Sequence, residues 1–172
     1  MDMLDEALLE FWRVLNKYKV AYIMVGGFAV NMHGYIRATK DSDLWLKDNL
    51  HNRKQLRQAF AELGYGDFSS IETMAFVPGW TQFNIAGGIV LDIMTSMKGL
   101  ENLSFDDCYK NARIAELNEI KVPFLHINEL IANKKAVARP KDLNDIIELE
   151  KIKKIQDEMK NDKQSNPGKL SL

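Results

Sequence analysis

The residues best suited to chemistry are three aspartates. Asp41 and Asp43 flank Ser42 in TKDSDLWL, and Asp92 sits among apolar residues in IVLDIMT. Side chains two apart on a strand point to one face, with Cα atoms about 6.6 Å apart. Asp41 and Asp43 would therefore repel each other unless a cation or a base lies between them. Mg²⁺ suits such a pair, since it takes oxygen ligands and binds one or two carboxylates together with substrate phosphates. Alone, the D-x-D pair reads more readily as an exposed strand face. Asp92 raises the stakes, because a carboxylate inside a buried strand is costly unless paired or bound to metal. The alternative is that Asp92 faces solvent while Leu91 and Ile93 point inward.

The second piece of chemistry is Gly26-Gly27, which closes the apolar run VAYIMV. A strand that ends in two glycines and opens a helix lets backbone N–H groups approach an anion. A plain tight turn is the competing reading. The segment GGFAVNMHG has neither the spacing of a phosphate-binding P-loop nor that of a dinucleotide fingerprint.

These residues need elements to position them. Leu4, Leu8, Leu9, Trp12 and Leu15 recur at helical spacing, which predicts an amphipathic helix over 3–17. A buried strand is expected over 20–25, a short helix over 28–34, and a strand over 40–47 in which Lys40, Ser42 and Leu44 alternate with the acidic face. Residues 51–63 read as a helix stopped by Gly64. Strands over 80–85 and 89–95 are joined by Ala86-Gly87-Gly88, a hairpin signal. Ser104 with Asp107 predicts a helix start, and 112–125 read as a hairpin turning at Asn118-Glu119. Helices over 128–138 and 141–159 are separated at Arg139-Pro140, because proline disfavours helix at the residue before it and suits a first turn. The expected organisation is an α+β core over 1–126, C-terminal helices over 127–160 packing on it, and a disordered tail over 161–172.

The bulk numbers exclude several functions. The chain has 172 residues, 46% hydrophobic and 27% charged, with a net charge of −1. One domain of this size buries enough apolar surface to need neither disulfides nor a structural metal. Near-neutral charge argues against a large nucleic-acid surface, which needs a visible basic excess. The single cysteine, Cys108, excludes an internal disulfide and a Cys-rich zinc site, and reads as a packed thiol. His33, His51 and His126 lack metal-ligand spacing and read as packing or surface residues. Trp45, Trp80 and Phe83 could stack on a base, but aromatic residues in short strands are more often core. No apolar run reaches the ~20 residues of a membrane span, and MDMLDEALLEFW is not a signal peptide. A cytoplasmic location with no membrane partner is the expectation.

Taken together, the apolar strand, Gly-Gly, D-x-D and a third aspartate on a later strand resemble the nucleotidyltransferase superfamily of the DNA polymerase β type. VGGFAVNMHGYIRATKDSDLWL resembles, more narrowly, its minimal bacterial branch related to abortive-infection and toxin–antitoxin proteins. LIANKKAVARPKDLNDIIELE resembles that branch's C-terminal signature, with Lys134, Arg139, Lys141, Asp142 and Asp145 at matching positions.

The resemblance implies a nucleotidyltransferase-like mixed sheet flanked by helices, with a C-terminal helical segment. It implies an enzyme that moves a nucleoside monophosphate from a nucleoside triphosphate to an acceptor hydroxyl on a protein, a tRNA or a small molecule. Asp41, Asp43 and Asp92 would bind two Mg²⁺ ions and carry catalysis. Gly26, Gly27, Arg37, Thr39, Lys134 and Lys141 would contact the nucleotide, with Arg37 either holding a phosphate or buttressing its strand. Asp142 and Asp145 share a helix face, where helix capping and surface pairing compete with a role in the site. A cognate protein partner would accompany a toxin–antitoxin role. The alternative is a catalytically idle nucleotide-binding module acting through such a partner.

Overall fold

The structure, a computed structural model, describes residues 6–39, 41–85 and 88–165. Helix α1 (Glu6–Lys17) buries the predicted stripe of Leu8, Leu9, Trp12 and Leu15, and adds Phe11 and Val14; Leu4 lies outside the described residues. Strand β1 (Tyr22–Met24) is buried along its whole length. Gly26-Gly27 are not merely a stop before a helix: they are the first two residues of α2 (Gly26–Met32). Then come β2 (Asp41–Leu46), α3 (Leu50–Glu62), a 3₁₀ turn (Ser69–Glu72), β3 (Gln82–Ile85) and β4 (Ile89–Met94). Helix α4 (Phe105–Asn111), strands β5 (Arg113–Leu117) and β6 (Ile120–Phe124), and helices α5 (Ile127–Val137) and α6 (Pro140–Ser165) complete the chain.

The local signals act as physics requires. Ser104 and Asp107 form a reciprocal capping box. Asn118 and Glu119 take positive φ at the turn between β5 and β6. Of the glycine turn between β3 and β4, Ala86 and Gly87 lie outside the described residues, but the two strands pair antiparallel as expected. Pro140 opens α6 after Ala138 turns left-handed. The 3₁₀ turn was not foreseen, since four residues carry no readable period.

One mixed sheet of six strands results, in the order β3-β4-β2-β1-β6-β5. The outer pairs β3–β4 and β5–β6, and the central β1–β2, are antiparallel; β2–β4 and β1–β6 are parallel. Trp12 of α1 meets Phe28 of α2 with ring centroids 5.1 Å apart, which fixes α2 over the sheet. Helix α5 packs against both α2 and α6. Cys108 is buried, and burial pushes its thiol up to about 11, as a packed rather than a reactive thiol requires. No described helix is long and apolar enough to cross a membrane.

Candidate active site

Strand order explains how residues far apart in sequence meet. Strands β2 and β4 run parallel as neighbours, and the register sets Asp43 directly beside Asp92 and Asp41 beside Val90. Alternation puts Asp41 on the same face as Asp43. The three predicted carboxylates therefore share one face of two adjacent strands. Asp41 is exposed, Asp43 partly buried, and Asp92 only 7% exposed. The Gly79 N–H donates to Asp92 Oδ2 at 2.7 Å, whereas the buried Asp92 Oδ1 has no partner among the described residues. Burial raises the pKa of Asp43, and the neighbouring Asp41 adds to the rise while Arg139 opposes it. Burial likewise raises Asp92, the Gly79 N–H opposes that, and Asp43 and Asp41 add to it. For Asp43 burial outweighs the pull of Arg139, Lys141 and Lys134, whereas no cation offsets it for Asp92.

The glycine pair touches the same motif. Gly26 takes φ +58°, a conformation that favours glycine, and a Cβ there would collide with Asp43 Oδ2. A Cβ on Gly27 would lie 2.6 Å from Thr39 Oγ1. Each glycine thus leaves room for one side chain of the segment from Arg37 to Asp43, and Thr39 Oγ1 in turn donates to the Asp41 carbonyl.

The segment carrying Arg37 is held from two sides. Asn31, on α2, donates to the Arg37 carbonyl and accepts from the Arg37 N–H, each at 3.0 Å. The Arg37 guanidinium grips Asp145 with two bonds, at 2.6 and 2.8 Å. Asp145 also meets Lys134 Nζ at 2.7 Å, and Lys134 reaches Asp142 at 3.1 Å. Arg139 donates to Asp142 through its side chain and its backbone N–H. Both aspartates are fully buried and Lys134 is 2% exposed. They are neither surface pairs nor simple caps. Burial pushes both carboxyls up, but Arg139 and Lys134 more than offset this for Asp142, which sits at about 2. Arg37 and Lys134 do the same for Asp145.

Two cavities flank the Asp43–Asp92 pair, and Asp43, Gly79, Asp92 and Arg139 line both. The first, of about 150 Å³, is walled by Gly27, Arg37, Thr39, Asp41, Lys134 and Lys141. It therefore gathers nearly all the residues predicted for the site, although Arg37 and Lys134 already serve buried carboxylates. Gly26 lines the second cavity instead, about 250 Å³ and more apolar, with Val25, Pro78, Met94, Met97 and Val137. Gly79, Gln82, Asn31 and the bridging place of Arg139 are additions that sequence reasoning left out of the site. A turn signal in VPGW marked Gly79; nothing local marked Asn31. Trp45 is buried against Phe105, whereas Trp80 is 86% exposed.

Among the described residues no three His, Cys, Asp or Glu side chains converge as a ready-made metal cluster. The residues nevertheless fit a divalent cation. The donors are all carboxylate oxygens, the choice of Mg²⁺; Asp92 Oδ1 is a buried oxygen without a partner among the described residues; and both Asp43 and Asp92 keep raised pKa values, Asp43 in spite of nearby cations.

This arrangement, a mixed sheet with helices on it and a C-terminal helix, is the nucleotidyltransferase fold. The chain superimposes on the lincomycin-bound lincosamide antibiotic adenylyltransferase LnuA with a TM-score of 0.56, at 15% identity over 86% of this chain and 97% of that one. It superimposes on the antibiotic-resistance factor ANT(2'')-Ia with a TM-score of 0.57, at 14% identity over 92% of each chain. An antigenic nucleotidyltransferase-like protein from Paracoccidioides brasiliensis gives 0.51, at 15% identity over 91% of this chain and 85% of that one. No curated protein matches the chain. Residues 1–163 match the family described as a nucleotidyltransferase of unknown function, DUF6036, and the chain belongs to that family. It is a nucleotidyltransferase.

Proposed function

We propose that the protein transfers a nucleoside monophosphate from a nucleoside triphosphate to an acceptor hydroxyl at the Asp43–Asp92 pair, with Asp41 completing the carboxylate set. The observation that carries this reading is the in-register placement of Asp43 and Asp92 between two cavities. Asp41, Asp43 and Asp92 would hold Mg²⁺. Bound there, Mg²⁺ would lower the pKa of the acceptor hydroxyl and neutralise charge on the leaving pyrophosphate. Lys141 makes no ion pair among the described residues, so its ammonium is available to the triphosphate. Arg139 spans both cavities and can meet a phosphate at their junction. Arg37 and Lys134 act chiefly by holding α6 and the D-x-D approach in place. Asp92 would take the acceptor's proton. Most of the rate would come from positioning and charge neutralisation.

Calorimetry with each NTP in Mg²⁺, followed by transfer of an α-labelled NTP to cell lysate, tests this reading. Tight NTP binding and a labelled product that Asp41→Asn/Asp43→Asn abolishes support it; binding without any product would favour an idle module. The two motif blocks also support a role in a toxin–antitoxin or defence system. Growth arrest on expression, relieved by the same double variant, is the expected sign of that role.

A further inference from the structure

The identity of the acceptor can be approached through the more apolar of the two cavities that flank the Asp43–Asp92 pair. The apolar cavity beside Asp92 is walled by Val25, Pro78, Met94, Met97 and Val137. A third cavity, of about 320 Å³, adjoins it, sharing Ser96 and Met97. Met97, an unbranched and adaptable side chain, lines both. The third cavity is lined by Trp45, which follows Asp43 on the same face of β2, while Met94 beside it follows Asp92 on β4. Trp45 is 3% exposed, and its indole N–H is buried without a partner among the described residues. A buried donor left unmatched costs free energy that a ligand can recover. The cationic groups Arg37, Lys134 and Lys141 all lie in the opposite cavity.

The geometry points to a small-molecule acceptor bound along this face, from the Asp43–Asp92 pair to Trp45. It would be neutral and ring-bearing, with a hydroxyl at Asp92 and a carbonyl or ether oxygen for the Trp45 N–H. Along β2, Asp43 and Trp45 are two residues apart, which sets their Cα atoms about 6.6 Å from each other. Together the two cavities fall within the several-hundred-Å³ range of small-molecule sites. A nucleic acid would find few free cations on this side: among the described residues Lys98 and Arg139 line the apolar cavity, and Lys47, which lines the third, is paired with Asp106, as Asp48 there is with Arg53. The inference rests on the nucleotidyl-transfer reading. In the step it implies, the acceptor oxygen bonds to the α-phosphorus as the bond to pyrophosphate breaks. The hydroxyl proton passes to the Asp92 carboxylate.

The test supplies α-labelled NTPs and Mg²⁺ with three kinds of acceptor: neutral ring alcohols carrying a carbonyl or ether oxygen, a short RNA with a free 3′-hydroxyl, and seryl and tyrosyl peptides. Label on a ring alcohol is expected, with Trp45→Phe raising its KM about fivefold and Val137→Trp blocking it. NTP affinity by calorimetry should be unchanged in both variants. Label confined to RNA or peptide, a silent alcohol panel despite NTP binding, or an unmoved KM in both variants overturns the inference. If the wild-type protein binds no NTP, the nucleotidyl-transfer reading is what has failed. Binding of the same alcohols by saturation-transfer NMR then decides this cavity: loss of binding in Val137→Trp supports it, and no binding to the wild-type protein overturns it.

Discussion

Five aspartates crowd this part of the molecule, and they fall into two regions treated in opposite ways. At the α5–α6 junction, Asp142 and Asp145 are fully buried, yet Lys134, Arg37 and Arg139 surround them and hold both ionised. On the β2–β4 face, Asp43 and Asp92 are less buried, yet their pKa values are raised and Asp92 Oδ1 goes without a partner. The difference lies in where the fold spends its cations. The junction is closed by the protein's own charges and needs nothing more. On the strand face burial outweighs the cations near Asp43 and none acts on Asp92, so a proton or a bound cation would be favoured there.

The largest effect that would break this contrast is on activity. Asp41→Asn/Asp43→Asn should lower nucleotidyl transfer by at least about a thousandfold, a loss at the upper end of that for removing a preorganised charge-stabilising group. Its thermal midpoint should hold or rise, because a crowded pair of carboxylates is being neutralised. Pyrophosphate release and a thermal melt check the two halves together; a double variant that stays active would erase the distinction between the regions.

The converse holds at the junction. Lys134→Met leaves two buried carboxylates with one cation fewer, which should destabilise the fold by about 3–5 kcal/mol. Urea unfolding measures this, and a near-neutral result would mean that the network is not closed as described. Next in size is Gly26→Ala, which combines a positive φ with a collision against Asp43. A loss of about 1–3 kcal/mol is expected, with transfer activity falling further than in Gly27→Ala, whose Cβ would meet the side chain of Thr39.

Acid separates the two regions by sign. Asp142 is held at about 2 against an ordinary 3.8, so its contribution is complete above about pH 4 and is lost as pH falls towards about 2. Asp43 and Asp92 are raised, so they favour folding when protonated and their contribution is lost as pH rises through their folded pKa values. Urea midpoints between pH 6 and 2 should therefore show a flatter acid limb in Asp142→Asn. In Asp43→Asn, the opposing loss with rising pH should shrink. The smallest effect is that of Asn31→Ala, which removes two bonds to the Arg37 backbone and should cost about 1–2 kcal/mol.

Much of this was legible before any coordinates. Apolar periodicity placed α1, and the capping pair Ser104/Asp107 and Pro140 placed two helix starts, because each is a local rule acting within a few residues. D-x-D on a strand fixed the shared face of Asp41 and Asp43 for the same reason. The burial of Lys134, Asp142 and Asp145 was not legible. Charges at helical spacing look alike whether a helix is solvated or packed, and only the docking of α6 beside the Arg37 segment removes their water.

The chain by itself thus determined which residues could do chemistry, the periods of the elements carrying them, and the turn that brings Gly26-Gly27 to the end of β1. Tertiary structure decided the rest. The parallel pairing of β2 with β4 set Asp43 beside Asp92 across 48 intervening residues, and α6 claimed Arg37, Lys134 and Arg139 for its own aspartates. Register and helix docking are non-local. They depend on how whole faces bury against one another, and no short stretch of sequence contains that information.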